Sequence, residues 1–458
     1  MAKSLTFKGG VHPLHAIHEG KEFTAGAAIT EMPVPAVVRI PMSQHIGAPA
    51  KPIVEAGQRV LMGQVIGEAN GFVSVPVHSS VSGTVLEIRE ITGLNGKPVL
   101  AAIIENDGLD EAQYMPPLPC EGLSKEEILE RIKQAGIVGM GGATFPTHVK
   151  LSPPPGKEAN LLLVNGAECE PFLTADHRMM LEYADKIILG IKIVMQALGV
   201  TKAIVGIEDN KPDAIAKMQQ ALDTRDIRVV TVKMKYPQGS EKQLIDAVTG
   251  RVVPSGGLPM DAGVVVVNVS TAAAIADAFQ TGKPLIRRAV TVTGAVHVPQ
   301  NLMVRIGTST QDIIDQAGGF SGDPLKIISG GPMMGLPVPD LSCVITKGYS
   351  GVLVLDGTYT RKERQSACIK CGRCVDVCPI FLNPTIISAA AVLEDFEKAE
   401  EEHAMDCINC GSCSFICPAK IPLAQNIKFA KDMVTAARRR EKELEQQEKE
   451  LEQRRKSS

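Results

Sequence analysis

Residues 368–379 read CIKCGRCVDVCP, and residues 407–418 read CINCGSCSFICP. Each run is C-x2-C-x2-C-x3-C-P, so four cysteines and a closing proline recur at the same offsets. Thiolates at this spacing suit a metal centre. Three close sulfurs can wrap one side of a single centre. Gly372 and Gly411 relieve crowding inside the wraps. Four-cysteine zinc sites also use C-x2-C pairs, but they do not account for a third cysteine and a C-P ending at identical places in both runs. Eight of the 11 cysteines fall in these two runs. That grouping argues for metal ligation over a disulfide framework, and so for a reducing compartment. Cys120, Cys169 and Cys343 stand alone, and Cys120 and Cys343 read as small hydrophobic residues.

The double run resembles the bacterial two-cluster ferredoxins, in which the fourth cysteine of each run ligates the other cluster. That resemblance assigns one [4Fe–4S] cluster to Cys368, Cys371, Cys374 and Cys417. The second takes Cys407, Cys410, Cys413 and Cys378. Two adjacent clusters make a one-electron path, which needs a donor and an acceptor.

The chain has 458 residues, enough for roughly two to four domains. Its net charge of -3 supplies no basic field for nucleic acid, and the absence of Trp with 3% aromatics disfavours base stacking. No segment reads as a membrane span, since GVVVVNVSTAAAIADAF is short and carries Asn268 and Asp277. MAKSLTFKGG has no apolar core of a signal peptide, so none is expected. His12, His15 and His18 form a triplet, but Pro13 disturbs a helix that would align them, and no nearby cysteine completes a metal site.

After an N-terminal segment (1–30), residues 31–115 alternate short apolar runs with Gly and Pro, which is all-β punctuation. VEAGQRVLMGQVIG and VSGTVLEI resemble the barrel-sandwich fold of biotinyl and lipoyl carriers. The matching hairpin tip, VSVPVHSSVSG, has no lysine to modify, so the module reads as structural. From about 120 to 283 helices and strands alternate. Ser124 and Glu127 have capping-box spacing. NLLLVNG reads as a buried strand followed by a long helix near 176–198. KAIVGIE, a helix from Pro212, IRVVTVK, a helix from Ser240, GVVVVNV and a helix through Ala272–Ala278 follow. This order implies a parallel sheet, with ligands beyond the carboxyl ends of its strands. Residues 284–357 read as a small α+β module with one helix, TQDIIDQAGG. The cysteine module takes 358–430, and 431–458 is a charged tail containing EKELEQQEKELEQR. Leu444 and Leu451 are seven apart but nothing fills the other seam position, so the tail reads as a solvated helix.

GMGGATFPTHVK (139–150) is a glycine-rich loop with a following lysine. It follows a helix, and its spacing departs from G-x-G-x-x-G, so an ordinary dinucleotide fingerprint is a weak reading and a plain tight connection is open. NGAECEP, YPQGSEKQLIDAVTG and NVST lie at other strand-to-helix junctions. Four loops at one sheet edge make a pocket, where backbone N–H groups and Lys150 would hold a phosphate.

These loops resemble those of the NADH-oxidising flavoprotein subunit of respiratory complex I over about 125–280. GMGGATFPTHVK is similar to G-R-G-G-x-G-F-P-T-G-x-K, NGAECEP to N-x-D-E-S-E-P, YPQGSEKQLIDAVTG to Y-x-x-G-E-E-T-A-L…G, and NVST to N-V-E-T. The resemblance implies FMN contacts at Gly139, Gly141, Gly142, Lys150, Asn165, Glu168, Asn268 and Thr271. Glu170, Gly239 and Glu241 would lie nearer NADH. Met140 stands where the family has arginine, Ala167 where it has aspartate, Ser240 where it has the first Glu of G-E-E, and Val267 where it has another asparagine.

Over essentially the whole chain, the order from GGVHP through to the charged tail resembles the C subunit of the Rnf ion-translocating ferredoxin:NAD+ oxidoreductases. The expected fold is therefore multidomain α/β: a barrel-sandwich domain, a Rossmann-like flavin/NADH domain, a β-grasp (SLBB) module and a helical two-cluster module. The family implies a peripheral subunit at the cytoplasmic face of the bacterial inner membrane. It would exchange electrons between NAD(H), through FMN, and two [4Fe–4S] clusters, linked indirectly to a ferredoxin-type carrier, while membrane partners move the ion. The flavin makes the conversion between hydride and single electrons, and hydride transfer needs no general base. Two alternatives share the layout: a cobalamin reductase, which GGVHP and the tail disfavour, and an electron-transfer scaffold that has lost its flavin.

Overall fold

A computed structural model describes residues 4–13, 19–154, 156–360 and 364–457, the side chains of 451–457 excepted. His15 and His18 of the histidine triplet lie outside the described residues. The chain forms two compact units: Met1–Thr6 with His12–Arg361, and Phe7–Val11 with Lys362–Ser458.

The first unit begins with strands β1 (Ile29–Glu31), β2 (Val37–Pro41), β3 (Lys51–Pro52), β4 (Arg59–Val60), β5 (Val65–Glu68), β6 (Val77–His78), β7 (Gly83–Thr92) and β8 (Pro98–Asn106). Two antiparallel sheets result, ordered β2-β8-β7-β4 and β3-β5-β6. Alternation drives the burial: Val38 and Ile40 are fully buried while Val37 and Arg39 between them are not. The hairpin tip that presents a lysine in carrier domains is inside the protein here. Ser79, Ser80, Val81 and Ser82 are all buried, and Ser80 Oγ donates to the Ile306 carbonyl at 2.6 Å.

Helix α1 (Lys125–Gln134) starts on the expected capping box. Ser124 Oγ accepts from Glu127 N at 3.2 Å, and Glu127 accepts from Ser124 N at 2.8 Å. Then follow α2 (Thr147–Lys150), β9 (Leu161–Gly166), α3 (Ala175–Glu182), α4 (Ala184–Leu198), β10 (Ala203–Glu208), α5 (Pro212–Gln220), β11 (Ile227–Val232), α6 (Glu241–Thr249), β12 (Val264–Asn268) and α7 (Val269–Gln280). The sheet is wholly parallel, ordered β11-β10-β9-β12. Its central strands are continuous apolar runs, as burial on both faces requires. The single helix expected near 176–198 is two helices. The break falls at Tyr183 (φ -126°, ψ 28°), where neither glycine nor proline announces it. Helix α4 packs on α7 with Gly190 against the Ala272 backbone. A Cβ at Gly190 would stand 1.9 Å from the Ala272 carbonyl oxygen, so only glycine permits this approach.

The last part of this unit holds β13 (Arg287–Gly294), β14 (Gln300–Arg305), α8 (Thr310–Gln316), β15 (Lys326–Ser329), β16 (Leu336–Pro337) and β17 (Gly351–Leu355). Their sheet is ordered β1-β14-β13-β17-β15-β16, so the N-terminal segment supplies one edge strand.

The second unit contains α9 (Arg373–Asp376), α10 (Pro384–Val392), α11 (Phe396–Glu401), α12 (Ser412–Ile416) and α13 (Leu423–Ser457). Ile387, Ala391, Ala399, Ile427 and Ala430 form its small core. The boundary placed at 430/431 is no break in structure, because α13 runs through it for 35 residues. Apolar anchoring ends at Val434, and every side chain from 435 to 450 is exposed. Pairs such as Lys428–Asp432 (2.6 Å) and Arg439–Glu443 (3.1 Å) lie one turn apart along it. Among the described residues no helix is long and apolar enough to cross a membrane.

Candidate functional site

The four loops meet at the carboxyl edge of the parallel sheet. Asn268 ends β12 and caps α7, with its Oδ1 accepting from Ser270 N (2.9 Å) and Thr271 N (3.2 Å). Its Nδ2 donates to Asp176 Oδ2 at 2.7 Å. The glycine loop lies directly over this cap. Met140 N donates to Thr271 Oγ1 at 2.9 Å, and Gly139 N closes the loop on the Phe145 carbonyl at 2.9 Å. A Cβ on Gly141 would come within 2.8 Å of Asn268 Nδ2, whereas one on Gly142 would meet nothing within 4 Å. Gly141 is thus required by packing, and Gly142 presents bare backbone to open space.

At the neighbouring junction Asn165, the penultimate residue of β9, donates from Nδ2 to the Gly239 carbonyl at 2.7 Å. Gly239 N donates to Cys169 Sγ at 3.2 Å. Gln238, beside it, is fully buried with neither amide atom hydrogen-bonded to the protein. An orphaned buried amide is uncommon and marks a place where a polar ligand group would be accepted. Lys150, at the end of α2, forms an ion pair with Glu241, the first residue of α6. Their side chains are 28% and 42% exposed, so the pair is open to an incoming anion.

NGAECEP is held differently from a free ligand loop. The Glu168 carboxylate accepts from Asp176 N (2.7 Å) and His177 N (3.0 Å), capping α3. Glu170 accepts from Met333 N (3.0 Å) and Met334 N (2.8 Å) in the β15–β16 connection. Burial raises both carboxyl groups, Glu170 to about 7. Both side chains are therefore already engaged by protein backbone. Glu168 (φ 49°) and Phe172 (φ 69°) adopt left-handed backbone, which L-residues with side chains disfavour.

The loop keeps that shape through lysines to which sequence reading gave no role. The buried Lys21 ammonium donates to the carbonyls of Glu168 (2.8 Å), Glu170 (2.9 Å) and Leu173 (2.5 Å). Burial lowers its pKa. Lys211, paired with Glu208 at 2.9 Å, donates to the Ala167 carbonyl at 2.7 Å. Arg288 reaches the Lys347 carbonyl at 2.6 Å and the Met140 carbonyl at 3.4 Å. The departures from the flavoprotein pattern also find a reason. Met140, Ala167 and Val267 are 5%, 0% and 4% exposed. Their side chains serve the core where the family carries polar groups. Ser240 precedes α6 and makes no side-chain cap bond.

In the second unit both cysteine runs trace the same backbone. Lys370 (φ 54°) and Asn409 (φ 53°) sit two residues after the first cysteine, and each donates its N–H to that cysteine's Sγ at 3.4 Å. Gly372 (φ 75°) and Gly411 (φ 77°) then turn the chain into α9 and α12. Cys378 groups with the other run. Burial foremost, then the charges of Cys410, Cys407 and Cys378, pushes the Cys413 thiol up to about 12. Burial likewise raises Cys407 and Cys378, with Cys410 acting on both. Cys374 and Cys417 are buried in one cluster with Cys413, whereas Cys368 and Cys371 are exposed. Among the described residues no three His, Cys, Asp or Glu converge on a single metal ion. Two sets of soft thiolates on duplicated wraps fit iron–sulfur clusters.

The sequence matches four domain families in this order. They are the RnfC barrel sandwich hybrid domain (5–109), the Nuo51 FMN-binding domain (132–277), the SLBB domain (289–337) and the 4Fe-4S dicluster domain (361–418). It is 50% identical to the C subunit of the Na(+)-translocating ferredoxin:NAD(+) oxidoreductase complex of Acetobacterium woodii, covering 95% of this chain and 98% of that one. The chain belongs to the C-subunit family of ion-translocating ferredoxin:NAD(+) oxidoreductase complexes. The C subunit of the proton-translocating complex of Clostridium ljungdahlii is 48% identical, over 95% of this chain and 96% of its own length. The C subunit of the ion-translocating oxidoreductase complex of Rhodobacter capsulatus is 44% identical, over 94% and 83%. In this C subunit, the glycine loop seated on α7 falls inside the FMN-binding match, and both cysteine runs fall inside the dicluster match.

Proposed function

We propose that this C subunit exchanges electrons between NAD(H) and partner subunits through FMN and two [4Fe–4S] clusters, in a complex that couples ferredoxin/NAD chemistry to ion translocation. The observation that carries the reading is one chain holding both a glycine loop closed on Asn268 and Thr271 and two identically folded four-cysteine runs. When bound, FMN supplies the conversion between the two electrons of a hydride and the single electrons that clusters carry.

The chain's own residues bind and orient. Gly139, Gly141 and Gly142 let the backbone wrap the flavin phosphate, and Lys150 supplies the positive charge. Asn165, Asn268 and Thr271 line the flavin edge, and Gly239 and Glu241 lie toward the nicotinamide nucleotide. Glu241 shares Lys150 until an anion competes for it. Glu168 and Glu170 act through the shape of NGAECEP, since their carboxylates are held by backbone N–H groups. One cluster takes Cys368, Cys371, Cys374 and Cys417, and the other takes Cys407, Cys410, Cys413 and Cys378. The subunit is peripheral, and a cytoplasmic placement is supported by free thiols that need a reducing compartment.

The test is FMN binding to purified chain, read by quenching of flavin fluorescence. A charge-assisted contact contributes about 1.5–3 kcal/mol, so Lys150→Ala should weaken FMN roughly ten- to a hundredfold. Unchanged affinity would remove Lys150 from the phosphate site.

A further inference from the structure

The two quartets are unequal in a way that their shared spacing hides. Cys378, Cys410 and Cys413 are buried and Cys407 is half-buried. The N-terminal stretch Phe7–Val11 lies over Cys378. Gly10 N donates to the Val377 carbonyl at 2.8 Å, and a Cβ on Gly9 would stand 2.8 Å from the Cys378 carbonyl oxygen. Phe7 and Val11 are each 4% exposed. The other quartet has two thiols, Cys368 and Cys371, at the surface. Between them Ile369 projects into solvent at 67% exposure.

Charge separates the quartets further. Over 364–378 and 417–420 the chain carries Arg364, Lys370, Arg373 and Lys420 against one carboxylate, Asp376, and all five are exposed. These segments are neighbours, because Ser366 N donates to the Ala419 carbonyl at 3.0 Å. Around the other run the charges are paired: Lys398 holds Glu401 and Glu402, Arg438 holds Glu400, and Lys431 donates to the Cys407 carbonyl. The chain as a whole is nearly neutral, so a basic rim around one exposed quartet is a local feature.

We infer that the Cys368–Cys371 face is the electron-transfer docking surface for another protein subunit of the same complex, one presenting acidic side chains around a one-electron centre. An apolar contact ringed by complementary charge seats such a partner, and the rim sets its orientation and encounter. An exposed ligand edge also shortens the electron's path across the interface. This inference rests on the proposed function, since it requires a cluster behind that face.

The experiment uses the purified complex carrying Arg364→Glu/Lys420→Glu in this chain. Three quantities are read: iron and flavin content, NADH-driven reduction of a small uncharged dye, and electron transfer between NADH and the complex's other redox centres. Expected are wild-type cofactor content and dye reduction within about twofold, with electron transfer to the other centres lowered at least tenfold. The altered chain should also leave the complex at lower salt than wild type. Unchanged transfer together with an unchanged salt for release overturns the inference. If the double reversal loses iron, Arg364→Gln/Lys420→Gln takes its place, and full transfer at every salt concentration in that variant is equally contrary. Absence of NADH:dye activity in the wild-type complex would instead strike at the proposed function.

Discussion

Lys21→Met is the perturbation whose consequence is largest for its distance from any sequence motif. The Lys21 ammonium donates to three carbonyls within six residues of NGAECEP and its continuation. Removing it leaves those oxygens without their donor beside the carboxylates of Glu168 and Glu208, whose charges now favour Lys21's protonated form. Each buried carbonyl left without its donor costs about 1–3 kcal/mol, offset in part by no longer burying an ammonium. The loop also holds two left-handed residues, Glu168 and Phe172, which persist only where surrounding bonds over-determine them. The account therefore predicts local opening of residues 166–174 before global unfolding. Hydrogen exchange of that segment should quicken by roughly a hundredfold, which corresponds to about 3 kcal/mol. Exchange in β10 and β13 should change far less. A Lys21→Met chain with wild-type protection across 166–174 would refute the clamp. So would equal loosening throughout the unit, which would mean that Lys21 serves only global stability.

Gly190→Ala should drive α4 off α7, since the new Cβ would overlap the Ala272 carbonyl. A loss of about 1–3 kcal/mol or more is expected in denaturant melts, with weaker FMN binding because α7 carries Asn268 and Thr271. Glu170 has a folded pKa raised to about 7 from 4.5, so the folded state binds the extra proton and stability falls as pH rises from 4.5 to 7. Glu170→Gln should remove that slope, gaining on wild type by at most about 3 kcal/mol across the window because the side chain keeps some solvent; parallel melting curves at pH 5 and 7.5 would contradict it. Cys378→Ser should lower the cluster on Cys407, Cys410 and Cys413 and spare the other, seen as loss of one of two reduced signals by electron paramagnetic resonance.

Different parts of the molecule were legible for different reasons. The cysteine runs and the βα alternation were readable because spacing and apolar periodicity are local, and the parallel sheet follows from them. The break at Tyr183 was not, because no glycine, proline or capping side chain marks it. The edge strand Ile29–Glu31 pairs with residues 272 positions further along the chain, Asn301–Met303, and no local pattern encodes such a partner. The glycine loop's setting was legible by resemblance, yet what holds the neighbouring loop was hidden. Lys21 and Lys211 reach it from distant or irregular segments and act on backbone carbonyls, which leave no trace in side-chain composition. The backbone N–H groups that hold the Glu168 and Glu170 carboxylates, at 176, 177, 333 and 334, were hidden for the same reason, since they converge only once the chain folds.

Electron flow from NAD(H) through a bound flavin to iron–sulfur clusters can be followed within this one chain. The most direct measurement is an anaerobic NADH titration of the full-length chain after cluster reconstitution, followed by visible absorbance and low-temperature electron paramagnetic resonance. Expected are one extractable FMN per chain, bleaching of the flavin band by NADH, and reduced [4Fe–4S] signals that appear with FMN bound and not with FMN removed. Clusters that NADH reduces equally well without flavin, or a chain that binds no FMN at all, would contradict it.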